Sequence, residues 1–205
     1  MKGNDGKNVI NTLRGALLRL SEVETLKDIV IKGNRDVISS CSKAIDAARI
    51  GERGKAEEEL LRAINGYESL RKRLAESELG EEHLFKLILE AEREVVEAYL
   101  FYLYVFGSAP PLDLSSLSPE GIVRGFLDFT GELRRLFLEK LIKDDLRGAR
   151  ESLELMKEVY SMISSSGIHL STFGDLKRRL DILRSQIEKS LEDLNVAMRI
   201  PKREG

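Results

Sequence analysis

Two acidic pairs carry the clearest chemical potential in the chain. Glu94 and Glu97 are three residues apart, and Asp128 and Glu132 are four apart. If each pair lies on a helix, both spacings put the two side chains on one face. Four carboxylates crowded into a half-buried site repel one another and need protons or cations to coexist. Mg²⁺ and Mn²⁺ prefer oxygen ligands and suit such a cluster. At a phosphodiester, two such ions can activate water and stabilise the leaving oxygen. The same residues also read as a salt-bridged cluster neutralised by Arg93, Arg134 or Arg135, or as a solvated charged face.

Other chemistry is sparse. Cys41 is the single cysteine, so neither an internal disulfide nor a cysteine-rich zinc site is available. It reads as a small core residue. His83 and His169 are far apart, which disfavours a multi-histidine centre. Neither has a glutamate three residues before it, since those positions are Gly80 and Ser166. That departs from the Glu-x-x-His pairs of di-iron bundles. Neither has the upstream arginine of helical ribonucleases built on Arg and His.

The elements that must position the acids are helices. The sequence is 33% charged and 42% apolar, with four prolines and no tryptophan in 205 residues. Such a composition suits long amphipathic helices in one domain spanning 1–205. A first short helix is expected over Val9–Leu20. A longer one over Glu22–Ile50 follows, weakened at Gly33 and Asn34, with a turn at Gly51 and Gly54. Lys55–Ser77 is the next helix, ended by Gly80, and Glu81–Val105 follows. A loop rich in Ser and Pro spans Gly107–Leu117. Ser118 is a good N-cap, with Pro119 at the first helical position, for a helix reaching Lys143. Asp145–Ser164 and Thr172–Arg199 complete the set. The last carries a seam of Leu176, Leu180, Leu183, Ile187, Leu191, Leu194 and Met198. The fold class expected is all-α, a bundle of about seven antiparallel helices with no strand. Residues 1–7 and 202–205 read as flexible ends.

In an antiparallel hairpin closed by the Gly107–Leu117 loop, Glu97 and Asp128 lie at matching heights, as do Glu94 and Glu132. Gly121, Gly125 and Gly131, each costing roughly 0.8–1 kcal/mol inside a helix, suggest close approach of the two helices. The acidic face continues as Phe101 and Tyr104, which a purely solvated stripe would not do.

The formal net charge is −2, so a nucleic-acid site must be local. The first residues, Met1–Lys7, are polar and do not read as a signal peptide. The longest apolar run, Ala98–Phe106, falls far short of the roughly 20 residues a membrane span needs. A cytoplasmic protein with no membrane role is expected.

Two stretches carry a family resemblance. Arg93-Glu94-Val95-Val96-Glu97-Ala98, with the aromatic-rich run after it, resembles a helix of translin-associated factor X. Leu117 to Leu133, with its Asp128-Phe129-Thr130-Gly131-Glu132-Leu133 string, is similar to that protein's next helix. Arg35-Asp36-Val37 followed by Ser42-Lys43 is similar to a further family pattern, with the spacing shifted by one. The resemblance runs from about Lys32 to Arg199. It implies a translin-like bundle of seven helices assembling into a hollow homo-oligomer, typically an octamer, around RNA. It also implies a metal-dependent endoribonuclease with Glu94, Glu97, Asp128 and Glu132 as catalytic ligands of Mg²⁺ or Mn²⁺. Single-stranded or duplex RNA is the expected partner, with single-stranded DNA a second ligand. Lys32, Arg35, Lys86, Arg93 and His83 are the RNA contacts expected on helices flanking the acids. The basic runs Arg71-Lys72-Arg73 and Lys177-Arg178-Arg179 are expected to be solvated faces or intersubunit salt bridges. Two alternatives stand beside this reading: a translin-like binding protein that cuts nothing, and a helical interaction scaffold.

Overall fold

The structure is a computed structural model that describes the backbone of residues 3–77 and 81–199 and the side-chain environment of 8–77 and 86–199. Among these residues there are six α-helices and no strand. They are α1 (Gly3–Arg49), α2 (Arg53–Ala75), α3 (Glu81–Phe106), α4 (Pro119–Ile142), α5 (Leu146–Ser164) and α6 (Leu176–Arg199). The expected break at Gly80 and the tail 202–205 lie outside the described residues. No helix among the described residues is long and apolar enough to cross a membrane.

The all-α expectation holds, but the helix count changes. The two helices expected before Ile50 are one helix of 47 residues, roughly 70 Å long. Neither glycine nor proline separates Leu20 from Glu22, and Ser21 does not stop the helix. Its carbonyl accepts a hydrogen bond from the Thr25 hydroxyl one turn later, at 2.9 Å. Burial begins only at Val30; residues 8–22 are exposed throughout. Val9, Ile10, Leu13, Leu17, Leu18 and Leu20 are each more than half exposed.

From Val30 onward, α1 packs against α2 and α3. The antiparallel α1–α2 pair closes at two glycines. A Cβ at Gly33 would meet Leu70, and one at Gly66 would lie 3.0 Å from Val37. Gly33 is therefore a contact point with α2. Cys41, Ala44, Ala47, Ala48, Leu60, Tyr67, Phe101 and Tyr102 form much of the core. The last helix packs through Leu176, Leu180, Leu183, Ile187 and Leu194, while Leu191 and Met198 of its expected seam are 37% and 50% exposed.

The main correction is topological. α3 and α4 do not form an antiparallel hairpin. Glu92 meets Ser118 and Gly121, Val96 meets Gly125, and Arg93 meets Asp128. Further on, Tyr104 meets Phe129, with ring centroids 6.1 Å apart. Residue number thus rises along both helices together, so they run the same way. The connection returns along the bundle to make this possible. It passes Arg53, which donates to Ser108 at 2.9 Å, and then Arg71, which donates to Ser116 at 3.0 Å. Retreating from Phe106 to the level of Glu92 is roughly 21 Å at 1.5 Å per helical residue. An extended segment of about ten residues covers that at ~3.3 Å each.

Ser118 starts α4 as expected, accepting from the Gly121 amide at 2.9 Å with Pro119 in the first turn. Such a cap contributes about 1 kcal/mol. Its hydroxyl also donates to Glu92, a carboxylate only 3% exposed that accepts from the Tyr67 hydroxyl and the Ser118 amide as well. This network fixes where α4 begins against α3. It therefore sets the register of every residue beyond.

Candidate active site

With α3 and α4 parallel, the acids meet in an order different from the hairpin scheme. Arg93 donates to Glu94 at 2.7 Å and lies 3.3 Å from Asp128, which puts Glu94 beside Asp128. Glu97 is close enough to Glu94, Asp128 and Glu132 to be repelled by all three. The four carboxylates thus lie near enough for their charges to interact.

Gly125 permits the approach. A Cβ there would sit 2.5 Å from Val96 and 2.9 Å from the Arg93 carbonyl. Gly121 is likewise pressed against Glu92, but a Cβ on Gly131 would meet nothing within 4 Å. Gly131 therefore does not serve close packing, because it faces away from α3 into a cleft shared with α6. The aromatic continuation is real: Phe101 is fully buried beside the site, and the Tyr104 hydroxyl lies 3.0 Å from Ser152.

Burial and mutual repulsion show in the proton affinities. Burial pushes Glu97 from the ordinary 4.5 up to about 8, helped by the negative charges of Glu94, Asp128 and Glu132 and opposed by Arg93. Burial also raises Glu94 and Asp128. Arg93 opposes both shifts, and Arg179 also opposes that of Asp128. Beneath the site, Cys41 is raised by its own burial and then by Glu94 and Glu97.

Arginines hold the cluster together. Arg93 pairs with Glu94 and also with Glu90 at 2.8 Å. Asp128 accepts from Arg179 of α6. Glu132 accepts from Arg49 of α1 and lies 3.2 Å from Arg135. Arg134 does not join them; it turns to Asp193 at 2.6 Å and stacks over Phe137. Within the cluster, Arg49 Nε, Arg93 Nε and Asp128 Oδ2 are buried without a well-aligned hydrogen bond, the last two facing each other at 3.3 Å. Among the described residues, no three acidic, histidine or cysteine side chains are drawn tightly enough to chelate an ion as they stand. The donor set nonetheless fits a hard divalent cation. It has four carboxylates, and a Glu97 whose charge is disfavoured until a positive partner arrives.

Solved structures share this architecture. AfC3PO, of the translin and translin-associated factor X type, is 30% identical at a TM-score of 0.80, over 91% of this chain and 97% of its own. The chain belongs to the translin family. A structure of AfC3PO with duplex RNA superposes with a TM-score of 0.79 at 29% identity, covering 91% of this chain and 96% of that one. The apo form of NeC3PO shares the fold, with a TM-score of 0.78 at 18% identity over 90% and 96% of the two chains. No family model matches the sequence. Among curated proteins, an uncharacterized protein of Methanocaldococcus jannaschii is 29% identical over 105 residues. The matched segment is 50% of this chain and spans about half of that relative, 47% of its length.

The expected RNA contacts separate in this translin-family chain. Arg35 and Lys32 are exposed on α1, and Lys86 is exposed on α3. Arg93 is not a free surface cation, because Glu90, Glu94 and Asp128 surround it. The side chain of His83 lies outside the described residues. Of the basic runs, Arg71 leans on Tyr67 and donates to Ser116. Arg179 is not a solvated residue either; it reaches Asp128 and Asp175. Arg49 and Arg179 are the site residues that sequence reasoning missed. They sit 83 and 51 residues from their acidic partners. The available signal was Arg49 as the only basic residue in the last turn of α1 and the Asp175–Arg179 spacing on one face.

Proposed function

We infer that this chain binds RNA within a homo-oligomer and cuts it with Mg²⁺ or Mn²⁺ held by Glu94, Glu97, Asp128 and Glu132. The carrying observation is the convergence of four acids with Glu97 raised to about 8. A fold needing only a salt-bridged cluster gains nothing from a buried fourth acid that repels three others. The likeness to AfC3PO, whose complex contains duplex RNA, supports an RNA substrate. The exposed apolar row of α1 supports assembly with other copies, for which an octamer is the proposed size.

A divalent cation bound here would supply an activated water and a positive charge at the leaving oxygen of the phosphodiester. The chain's own part is to present ionised carboxylates. Glu97 must release its proton, and Asp128 and Glu132 must turn from Arg179 and Arg49. Lys32, Arg35 and Lys86 provide backbone-phosphate contacts for single-stranded or duplex RNA, and for single-stranded DNA.

A second reading has its own support: arginines already occupy Glu94, Asp128 and Glu132, as in a binding protein that cuts nothing. Labelled RNA incubated with Mn²⁺ or with EDTA separates the two. The expected result is cleavage with Mn²⁺, none with EDTA, and none for Glu97→Ala or Asp128→Ala. Cleavage persisting in EDTA would rule out the metal mechanism. RNA held but uncut under every condition would leave the binding protein.

A further inference from the structure

Between α4 and α6 lies a cleft of about 150 Å³ with an apolar back of Leu127, Ile182 and Leu183 and polar groups of Asp128, Arg179 and Gln186 at its edge. Gly131 leaves its floor open. It is a small recess open to solvent, with room for a phosphate group. Arg179 stands at the mouth, its side chain 22% exposed, and donates through Nη1 to Asp128 and through Nε to Asp175 at 2.6 Å.

Each of those acids has a second arginine: Asp175 also accepts from Arg124, which is itself braced by Glu120 at 2.8 Å, and Asp128 lies 3.3 Å from Arg93. Asp128 faces the other acids and is a proposed cation ligand. A divalent cation there competes with Arg179 for the same carboxylate and repels its guanidinium. The Nε bond to Asp175 would hold the side chain in place while Nη1 turns to the cleft. A planar guanidinium with free N–H groups beside an open pocket is suited to a phosphate oxygen.

We propose that Arg179 exchanges Asp128 for a backbone phosphate of RNA, seated in the α4–α6 cleft, when a divalent cation takes the carboxylate. This rests on the metal-dependent reading above. In the ion-free protein Arg179 guards Asp128, and in the loaded protein it positions the strand next to the bond at the acids. Ion and RNA thus bind cooperatively through one side chain.

Two affinities test it without any cleavage assay: Mn²⁺ alone by calorimetry, and a short single-stranded RNA in Ca²⁺ by fluorescence anisotropy. For Arg179→Gln, loss of a charge-assisted competitor should tighten Mn²⁺ about tenfold. Loss of the phosphate contact should weaken RNA in Ca²⁺ about tenfold, with little change in EDTA. Arg179→Lys keeps the charge and guards against a folding artefact; it should bind RNA between the two. Arg184→Gln, on the same helix but paired outward with Glu188, should alter neither affinity. Arg179→Gln with wild-type Mn²⁺ affinity, or with RNA weakened equally in EDTA and Ca²⁺, overturns the exchange while leaving the nuclease reading intact. A wild-type chain that takes up no Mn²⁺ overturns the nuclease reading itself, and the exchange with it.

Discussion

Replacing Glu97 by glutamine tests the electrostatics of the site directly, because the amide matches the neutral acid in shape but cannot ionise. Glu97 moves from 4.5 to about 8 in the folded chain, chiefly through burial. At ~1.4 kcal/mol per pH unit, ionising it in the ion-free fold costs up to ~5 kcal/mol. Relaxation of nearby arginines and entry of water should reduce the observable part to about 2–4 kcal/mol. The folded state holds this proton more tightly than the unfolded chain. The resulting stability is complete below about 4.5 and is lost as pH rises through about 8. Urea unfolding in EDTA, at about pH 6 and about pH 9, measures it. About two of the pH units between 4.5 and 8 fall inside that interval, so the wild type should lose about 1–2.5 kcal/mol more than Glu97→Gln across it. At the alkaline end, Mn²⁺ should restore stability to the wild type and not to the variant. Parallel stability curves, within ~0.5 kcal/mol across the range, would refute the claim that Glu97 is a strained buried acid.

Other outcomes follow from the packing. Gly125→Ala places a methyl 2.5 Å from Val96 and 2.9 Å from a backbone carbonyl; it should cost about 1–3 kcal/mol in thermal unfolding and reduce RNA cleavage by parting α3 from α4. Gly131→Ala meets nothing within 4 Å and should instead raise stability by up to about 1 kcal/mol in the same assay. Glu92→Ala strips the acceptor from Tyr67 and Ser118. In urea it should lose about 3–5 kcal/mol, with Mn²⁺ affinity reduced only in proportion to the unfolded fraction. Leu13→Glu combined with Leu17→Glu, both on the exposed part of α1, should lower the assembly mass seen by light scattering while leaving the helical circular dichroism of the chain intact.

The local parts of the fold were legible because local chemistry decides them. Ser118-Pro119 starts α4 where it should, and the 3.6-residue period of α2 and α6 marks their buried faces. The four acids were legible for the same reason, as spacings of three and four on helices. Their meeting was reached through a mistaken topology. A loop rich in Ser and Pro looks like a hairpin turn, whereas here it carries the chain back along the bundle. What decides the matter is a contact network remote in sequence, from Tyr67 through Glu92 to Ser118. Arg49 and Arg179 were hidden for a similar reason. A long cation on a charged helix finds its acid only once the helices are packed, and nothing in its neighbours says which it will be. The unbroken α1 hid differently: its outer half carries apolar residues at helical spacing but has nothing in this chain to bury them against.

Cys41 makes a native probe of all this. Its sulfur is fully enclosed and its ionisation opposed, first by that enclosure and then by Glu94 and Glu97. Alkylating reagents act on the thiolate, so labelling must wait for α1 to lift from α3. The rate of that modification becomes a clock for the breathing of the bundle directly under the acids, readable in the unaltered chain. A ligand that pins the two helices together should slow the clock, and a substitution that loosens them should speed it, even where cutting cannot be followed.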